Sequence, residues 1–341
     1  MVTQPVLNPQ ITKAVELLKQ GEVVAIPTET VYGLAARIDD AKAVEKIFQV
    51  KQRPFFDPLI VHVASLEQAK SCTTDWPEVC DILARSFWPG PLTMVLPKSA
   101  LVSDVITSGL VGVGLRWPSH AMAQEIIRQV GIPLAAPSAN KFGRTSPTKA
   151  QHVRDEFGDS IYVVDGDSSS IGIESTVLLI KRAGDTAELS VLRKGAVLAS
   201  QIDAALVATG LKYRWVESVS KAESPGHMKH HYMPSVPLVI CKNPKITFAD
   251  VARLLNEKMA TLPDEVEGVK IVKPKGEVKQ VEILRLSDKP EQAARELYAQ
   301  LRSASERAPD ALCFIQSSKQ SGELWESIFD RLYKAASLIL E

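Results

Sequence analysis

Short apolar runs alternate with amphipathic segments through the first 210 residues, and this alternation limits the chain to an α/β architecture. QITKAVELLKQ (10–20) repeats its apolar positions at helical intervals, whereas EVVAIP (22–27) has the length and composition of a buried strand. ESTVLLI (174–180) and LSVLRKG (189–195) are strand-like runs with no helical segment between them. Parallel neighbours need a long crossover connection, so we predict an open, twisted, mixed sheet with flanking helices.

The regular pattern stops near Tyr213 and starts again near Pro237. The stretch at 213–236 shows no sustained period, which is typical of a linker. Residues 237–341 return to strand–helix alternation, as in a small doubly wound α/β domain. We therefore predict a first domain at 1–212, a linker at 213–236 and a smaller, Rossmann-like C-terminal domain at 237–341.

The composition gives no general attraction to nucleic acids or membranes, because 40 Lys and Arg residues balance 40 Asp and Glu residues. We see no signal peptide and no apolar run long enough to cross a bilayer. The 4 cysteines have no CxxC spacing, which is typical of free thiols in a reducing compartment. We expect a cytoplasmic protein without membrane association.

The segment KQRPFFDPLIVH (51–62) carries two cations, Lys51 and Arg53, just before an apolar strand. Asp57 and His62 continue the polar character into that strand. The cations alone could be the solvated end of a helix, where the dipole favours positive charge. A lone histidine in a strand is usually a satisfied core residue, but the polar residues before His62 favour a binding role here. Paired cations at a strand end suit an anionic ligand.

The segment APSANKFGRTSPT (136–148) places small polar side chains around a glycine-containing turn, and Ser138 and Ser146 are the hydroxyls that we expect to contact a ligand. Both serines also fit the S-x-x-K pattern of acyl-serine enzymes. No K-T-G partner or G-x-S-x-G elbow accompanies them, which argues against a serine hydrolase. Hydroxyls that donate to phosphate or carboxylate oxygens need no activation, so we interpret these residues as ligand-binding.

Further polar residues follow predicted strands elsewhere. PTETVYGL (27–34) sets two threonines around Glu29 before a glycine, and GVGLRWP (112–118) ends on a cation. The chain has no Walker A sequence, and its GxG lacks the third glycine of a dinucleotide fingerprint. A nucleotide would therefore be held by side chains and loop amides. The candidate residues in these segments are Thr30, Gly112, Arg116, Ser175 and Arg193.

The linker contains HMKHH (227–231), which holds 3 of the 6 histidines. Zinc is the tempting interpretation, but no cysteine or carboxylate ligand is near in sequence. We expect no protein-held metal and interpret the segment as a polar cover over a pocket, with Tyr232 as an aromatic lid.

Taken together, these segments resemble the threonylcarbamoyl-AMP synthase family, the YrdC-like proteins, in its long two-domain form. The family pattern occurs here in order and at compatible spacing: PTETVYGL, K-x-R-P, PLIVH, R-x-P, APSAN, SPT, EST, LR-x-G and SPG…HY-x-P. The resemblance covers essentially the whole chain. It implies a catalytic domain at 1–212 with an open α/β sheet and a linker at 213–236 that reaches over the active site.

The resemblance implies that L-threonine, bicarbonate and ATP, with Mg²⁺ on the ATP, are converted to threonylcarbamoyl-AMP and pyrophosphate. The product would serve N6-threonylcarbamoylation of adenosine 37 in tRNA by a separate transferase, so tRNA would be an indirect partner. The implied threonine site comprises Thr30, His62, Arg116, Ala136 (through its backbone) and Ser175. The implied ATP site comprises Lys51, Arg53, Asp57, Gly112, Ser138, Ser146, Arg193 and Tyr232. The catalytic roles fall on Lys51, Arg53, His62 and Arg116.

These residue types suit the implied chemistry. Arg116 would clamp the threonine carboxylate, and Lys51, Arg53 and Arg193 would offset the triphosphate charge. His62 is the only candidate general base with a suitable ordinary pKa. Two alternatives are a non-catalytic module that binds double-stranded RNA or tRNA, and a carbamoyl-phosphate adenylating enzyme of hydrogenase maturation. The balanced charge argues against the first, and the second normally carries zinc-finger and acylphosphatase segments that we do not find here.

Overall fold

The computed structural model describes residues 8–217, 228–258 and 261–341, which divide into two compact units. Unit 1 comprises the described residues among 1–139, 148–170 and 174–227. Unit 2 comprises 140–147, 171–173 and the described residues of 228–341. Residues 218–227 of the predicted linker, including His227, lie outside the described residues.

A mixed sheet forms the centre of unit 1. Its ten strands in the described residues are β1 (Val24–Ile26), β2 (Gly33–Arg37), β3 (Ile60–His62), β4 (Leu92–Pro97), β5 (Gly112–Arg116), β6 (Leu134–Ala135), β7 (Tyr162–Val163), β8 (Thr176–Ala183), β9 (Thr186–Arg193) and β10 (Tyr213–Trp215), in the order β10-β9-β8-β4-β5-β3-β6-β2-β1-β7. β8 and β9 form an antiparallel hairpin, whereas β3 pairs with β5 and β4 pairs with β8 in parallel. The predicted mixed sheet is confirmed. As expected, β8 and β9, which follow each other without a helix between them, pair antiparallel.

Helices flank this sheet. They are α1 (Pro9–Lys19), α2 (Ala41–Lys51), α3 (Leu66–Ser71), α4 (Glu78–Phe87), α5 (Asp104–Thr107), α6 (Ala121–Val130), α7 (Ala150–Phe157) and α8 (Ala199–Val207), with a 3₁₀ turn at Gly158–Ser160. The Asn8 side chain caps α1 by accepting from the Gln10 N–H, and a proline occupies the first turn. Gly21 follows α1 with a φ of 76°, a conformation that glycine adopts without a side-chain clash.

The alternation of side chains along β1 shows that both faces of the sheet are covered at this strand. Val24 and Ile26 pack in one apolar cluster with Leu18 of α1 and Ile126 of α6. Ala25, between them, packs in a second and larger cluster. Successive strand residues point to opposite faces, so the sheet lies between two packed layers at β1. At this strand only the ends and their loops remain for polar ligands.

Unit 2 is the smaller α/β unit expected from the C-terminal pattern. Its elements in the described residues are β11 (Leu238–Cys241), α9 (Phe248–Lys258), β12 (Glu265–Val266), β13 (Val269–Lys270), β14 (Val281–Ile283), α10 (Pro290–Glu306), β15 (Ala311–Ile315), α11 (Glu323–Ala335) and β16 (Leu338–Leu340). The parallel sheet has the strand order β14-β15-β11-β16. β12 and β13 pair separately as an antiparallel hairpin.

The stretch expected as a linker at 213–236 begins with a strand. Its first three residues, Tyr213–Trp215, form β10 and pair in parallel with β9. The strand has three residues, which are too few for its sequence to carry a periodic signal. None of the helices in the described part of the chain combines the length and hydrophobicity that a bilayer requires.

Candidate active site

Arg116 is the centre of a buried polar cluster in unit 1. Its guanidinium lies 2.6 Å from the Glu29 carboxylate, and both side chains are 5% exposed. Arg116 Nη1 donates to Thr30 Oγ1 at 2.8 Å, and Nε donates to the Gly90 carbonyl at 3.3 Å. Arg116 is the last residue of β5, and Glu29 and Thr30 lie in the turn between β1 and β2. A buried guanidinium at a strand end is a carboxylate-binding group, and here Glu29 occupies it.

The turn that carries Glu29 is held by its own hydroxyls. Thr28 Oγ1 donates to the Val31 carbonyl at 2.6 Å and lies 2.9 Å from Thr30 Oγ1. Ser169 Oγ donates to the Thr28 carbonyl at 3.0 Å. These bonds fix Thr30 against Arg116, because local side-chain bonds replace the strand ladder in the turn.

His62 lies beside Arg116, since the parallel register of β3 and β5 pairs these two residues. His62 Nδ1 is 3.3 Å from the Ile60 carbonyl, which can only accept, so Nδ1 carries the proton and Nε2 is an acceptor. Burial, followed by the positive charge of Arg116, lowers the pKa of His62 to about 3. The imidazole is therefore neutral at physiological pH. This pKa favours hydrogen bonding by His62 over the general-base role expected from its ordinary value.

Ser175 contacts one further predicted residue, Arg193, and one residue that was not predicted, Thr93. Its Oγ is 2.8 Å from Thr93 Oγ1 of β4 and accepts from Arg193 Nη2 at 3.1 Å. Arg193 Nε also donates to the Ser175 carbonyl at 3.1 Å. Ser175 directly precedes β8, and the β4–β8 and β8–β9 pairings bring its partners to it. Ser175, which is expected to bind threonine, and Arg193, which is expected to bind ATP, are thus in direct contact.

Lys51, the last residue of α2, is buried, with 1% exposure, and its Nζ donates to the Ser138 carbonyl. Burial, followed by the charge of Arg53, lowers the pKa of Lys51 well below its usual range. An anionic ligand nearby would restore the charged form. The Ala136 N–H donates to the Ile60 carbonyl at 3.0 Å. A backbone contact from Ala136 to a ligand would therefore use its carbonyl oxygen.

Arg53 and Asp57 form a buried ion pair. Arg53 Nη2 lies 2.8 Å from Asp57 Oδ2, with side-chain exposures of 5% and 6%. The guanidinium also donates to the carbonyls of Asp57 at 3.1 Å and Pro58 at 2.9 Å. The KQRPFFDP loop is therefore folded around its own arginine. The acid at position 57 has a cationic partner, as an acid beside a triphosphate requires.

Two glycines of β5 lie against β4. A Cβ on Gly112 would meet Val95 Cγ1 at 3.0 Å, and a Cβ on Gly114 would meet Thr93 Cγ2 at 3.1 Å. The glycines therefore have a packing function between the strands, in addition to any close approach by a ligand. Thr93 is the partner of Ser175, so Gly114 indirectly positions the serine.

Ser146 and Tyr232 belong to unit 2. Tyr232 is 1% exposed, has a φ of 64°, and its ring packs 5.5 Å from that of Tyr298. The Tyr232 carbonyl accepts from Thr145 Oγ1 at 3.0 Å, next to Ser146. In the described residues no group of three or more His, Cys, Asp or Glu side chains is arranged to hold a metal ion.

The structure joins most of the predicted unit 1 residues into contacting sets. Thr30, His62 and Arg116 form one set, Ser175 and Arg193 a second, Lys51 and Ser138 a third, and Arg53 and Asp57 a fourth. Sequence reasoning did not select Glu29 or Thr93 as site residues. A carboxylate between two threonines at the end of a strand was the available signal for Glu29, and it is equally typical of a turn. Thr93 has no local signal, because only strand pairing brings it to Ser175.

Both parts of the chain match known domain families. Residues 16–195 match the domain family of Sua5, YciO and YrdC proteins, described as Telomere recombination. Residues 197–337 match the family described as Threonylcarbamoyl-AMP synthase, C-terminal domain.

Similar proteins include the Threonylcarbamoyl-AMP synthase of Pyrococcus abyssi, 37% identical over 96% of this chain and 94% of the relative. The protein of the same name from Bacillus subtilis is 44% identical over 69% of this chain and 67% of the relative. The crystal structure of P. abyssi Sua5 complexed with L-threonine has a TM-score of 0.78 and 34% identity, with 97% of this chain and 96% of that chain covered. Both domain families and a near full-length relative identify the same family. The chain belongs to the two-domain threonylcarbamoyl-AMP synthase family.

Proposed function

We propose that this chain is an L-threonylcarbamoyladenylate synthase that converts L-threonine, bicarbonate and ATP to threonylcarbamoyl-AMP and pyrophosphate. The name shared by the relatives supports this activity, and the archaeal relative has been crystallised with L-threonine. The single observation that carries the proposal is the buried Arg116 cluster, which presents a guanidinium, a hydroxyl and a neutral imidazole at one strand end. Such a set matches the carboxylate and hydroxyl groups of a small hydroxy amino acid.

In the threonine site, Arg116 would take the substrate carboxylate through its guanidinium. Thr30 and His62 Nε2 would offer hydrogen-bonding atoms to the substrate hydroxyl. Ser175 Oγ and the Ala136 carbonyl oxygen would complete the site from neighbouring strands. These groups are fixed by the sheet before substrate arrives, so little ordering is required on binding.

In the ATP site, the cations Lys51, Arg53 and Arg193 would neutralise the phosphates. The lowered pKa of Lys51 supports this assignment, because a buried ammonium gains most from an anionic ligand. Asp57 would hold Arg53 in place, while Gly112 and Ser138 would contribute backbone and hydroxyl contacts. Ser146 and Tyr232 remain predictions from the family resemblance.

The reaction requires two bond-forming steps. The threonine ammonium first gives up a proton to become a nucleophilic amine. The amine then joins carbon dioxide with loss of a second proton, or bicarbonate with loss of water, to form a carbamate. A carbamate oxygen attacks the α-phosphorus and expels pyrophosphate. Positioning and charge stabilisation provide most of the catalysis in such transfers. Lys51, Arg53, His62 and Arg116 are the residues we assign to catalysis, with His62 as a neutral hydrogen-bonding group.

Magnesium would enter with ATP. The one carboxylate of the proposed ATP site, Asp57, is paired with Arg53, so the phosphates and water would hold Mg²⁺, which usually keeps several waters in nucleotide sites. The residues therefore fit a metal that the nucleotide carries, and the ion would neutralise phosphate charge. The product would pass to a separate transferase that modifies adenosine 37 of tRNA, so tRNA would be an indirect partner.

The test is a product assay with the full chain, ATP, magnesium, L-threonine and bicarbonate. We expect pyrophosphate release and threonylcarbamoyl-AMP, identified by mass spectrometry, only when all components are present. Omission of threonine or bicarbonate is the control for ATP hydrolysis. Pyrophosphate release that is independent of threonine would contradict the proposal, as would tRNA binding without any adenylate formation.

A further inference from the structure

The Glu29 carboxylate is buried and lacks regular hydrogen bonds. Its side chain is 5% exposed and in ion-pair contact with Arg116. Neither Oε1 nor Oε2 accepts a hydrogen bond of normal geometry from any described residue. Two acceptor oxygens without donors in a buried site are costly, so such a group in a folded protein calls for an explanation.

A purely structural role as counter-ion of Arg116 does not account for this geometry. Arg116 directs Nη1 to Thr30 and Nε to the Gly90 carbonyl, so only Nη2 faces Glu29. A structural arginine–carboxylate pair gains most from two parallel hydrogen bonds, which this arrangement excludes. The remaining carboxylate oxygen needs donors from elsewhere.

The proposed substrate carries donors at the required place. An α-amino acid has its ammonium group on the carbon next to its carboxylate. A threonine whose carboxylate is on Arg116 would thus hold its ammonium close to a group that already contacts Arg116. An ammonium has three N–H donors, which the two Glu29 oxygens lack, and a positive charge that can replace that of Arg116.

The charges of the cluster agree with a zwitterionic ligand. Arg116 is positive, Glu29 is its negative partner, and the adjoining His62 is neutral. Arg193, the next cation, is directed at Ser175. A ligand with one carboxylate and one ammonium would give each charge of the Arg116–Glu29 pair a new partner. A hydroxy acid without the amine would place an uncompensated negative charge beside Glu29.

We infer that Glu29 is the ammonium-binding and specificity-determining residue of the threonine site, selecting α-amino acids over hydroxy acids of the same shape. The inference rests on the proposed function. In the free protein Glu29 neutralises Arg116, and on binding the substrate carboxylate takes its place at the guanidinium while Glu29 turns to the ammonium.

The test compares two ligands and two proteins by calorimetry. L-Threonine is compared with (R)-3-hydroxybutanoate, which has the same carbon skeleton and hydroxyl but lacks the amine. We expect the wild-type chain to prefer threonine, and Glu29→Gln to reduce that preference by about 10- to 150-fold, the range for losing one charge-assisted hydrogen bond. The loss should come from weaker threonine binding, with hydroxybutanoate binding unchanged or stronger.

The matched control is Glu22→Gln, which makes the same chemical change in an exposed ion pair with Lys46 and should leave both affinities unchanged. If Glu29→Gln does not fold, Glu29→Asp provides the same test, because it keeps the charge but withdraws it by one methylene. Equal weakening of both ligands in the Glu29 variant, or an unchanged preference, would overturn the inference. Failure of the wild-type chain to bind threonine or to form the adenylate would instead refute the proposed function.

Discussion

Replacing His62 with asparagine should make the folded chain less sensitive to acid. Burial and the charge of Arg116 lower the pKa of His62 to about 3, against an ordinary value near 6.5 in the unfolded chain. Between these values the unfolded chain binds a proton that the folded chain does not. The contribution of His62 to stability is therefore fully present above pH 6.5 and is lost as the pH falls toward 3. Each pH unit in this window costs about 1.4 kcal/mol, or about 2 kcal/mol between pH 7 and pH 5.

The assay is urea unfolding at pH 7 and pH 5, followed by tryptophan fluorescence, since 4 of the 5 tryptophans lie in unit 1. Asparagine keeps a donor for the Ile60 carbonyl but does not titrate, so the free energy of unfolding of His62→Asn should fall less between the two pH values, by about 2 kcal/mol. His120→Asn is the matched control, because it removes a half-buried histidine and leaves His62 in place. Equal acid sensitivity of wild type and His62→Asn would refute the assignment of a neutral, buried imidazole.

Three further predictions follow from the site geometry. Arg53→Ala should lower adenylate formation by orders of magnitude. It should also destabilise the fold by about 3–5 kcal/mol, because it leaves the Asp57 carboxylate buried without Arg53. The double variant Arg53→Ala/Asp57→Asn should regain stability in urea unfolding but not activity. Recovered activity in the double variant would contradict the phosphate-binding role. Gly114→Ala should displace Thr93, raise the KM for threonine and cost about 1–3 kcal/mol, whereas Gly276→Ala, which has open space around it, should be neutral in both assays. An unchanged KM in Gly114→Ala would exclude Thr93 as a positioning residue. Removal of magnesium with a chelator should abolish pyrophosphate release and leave threonine binding intact in calorimetry; full turnover without the ion would reject it as the nucleotide's partner.

Elements with strong local signals could be predicted from the sequence. The amphipathic segment at 10–20 corresponds to α1 at Pro9–Lys19, and EVVAIP contains β1 at Val24–Ile26. The two strands without an intervening helix form the β8–β9 hairpin. The signals for these elements lie within their own segments: hydrophobic periodicity, an asparagine cap and a glycine after the helix. The fold class follows from them, because alternation and missing crossovers restrict the sheet to a mixed topology.

Other features depend on contacts between distant segments. β2 (Gly33–Arg37) is short and small-residue rich, and it is a strand because β1 and β6 pair with it on either side. β10 likewise depends on β9. The Glu29–Arg116 contact joins residues far apart in sequence, so no motif could reveal that the guanidinium expected to hold a substrate already holds an acid. The lowered pKa of His62 has the same origin, since both burial and Arg116 act on it through the fold.

A crystal structure of the full chain with bound L-threonine tests the central claim most directly. We predict that the substrate carboxylate lies within hydrogen-bond distance of the Arg116 guanidinium, with the substrate hydroxyl toward Thr30 and His62 and the ammonium on the Glu29 oxygens. Threonine bound elsewhere, with the 2.6 Å Arg116–Glu29 contact undisturbed, would contradict the account.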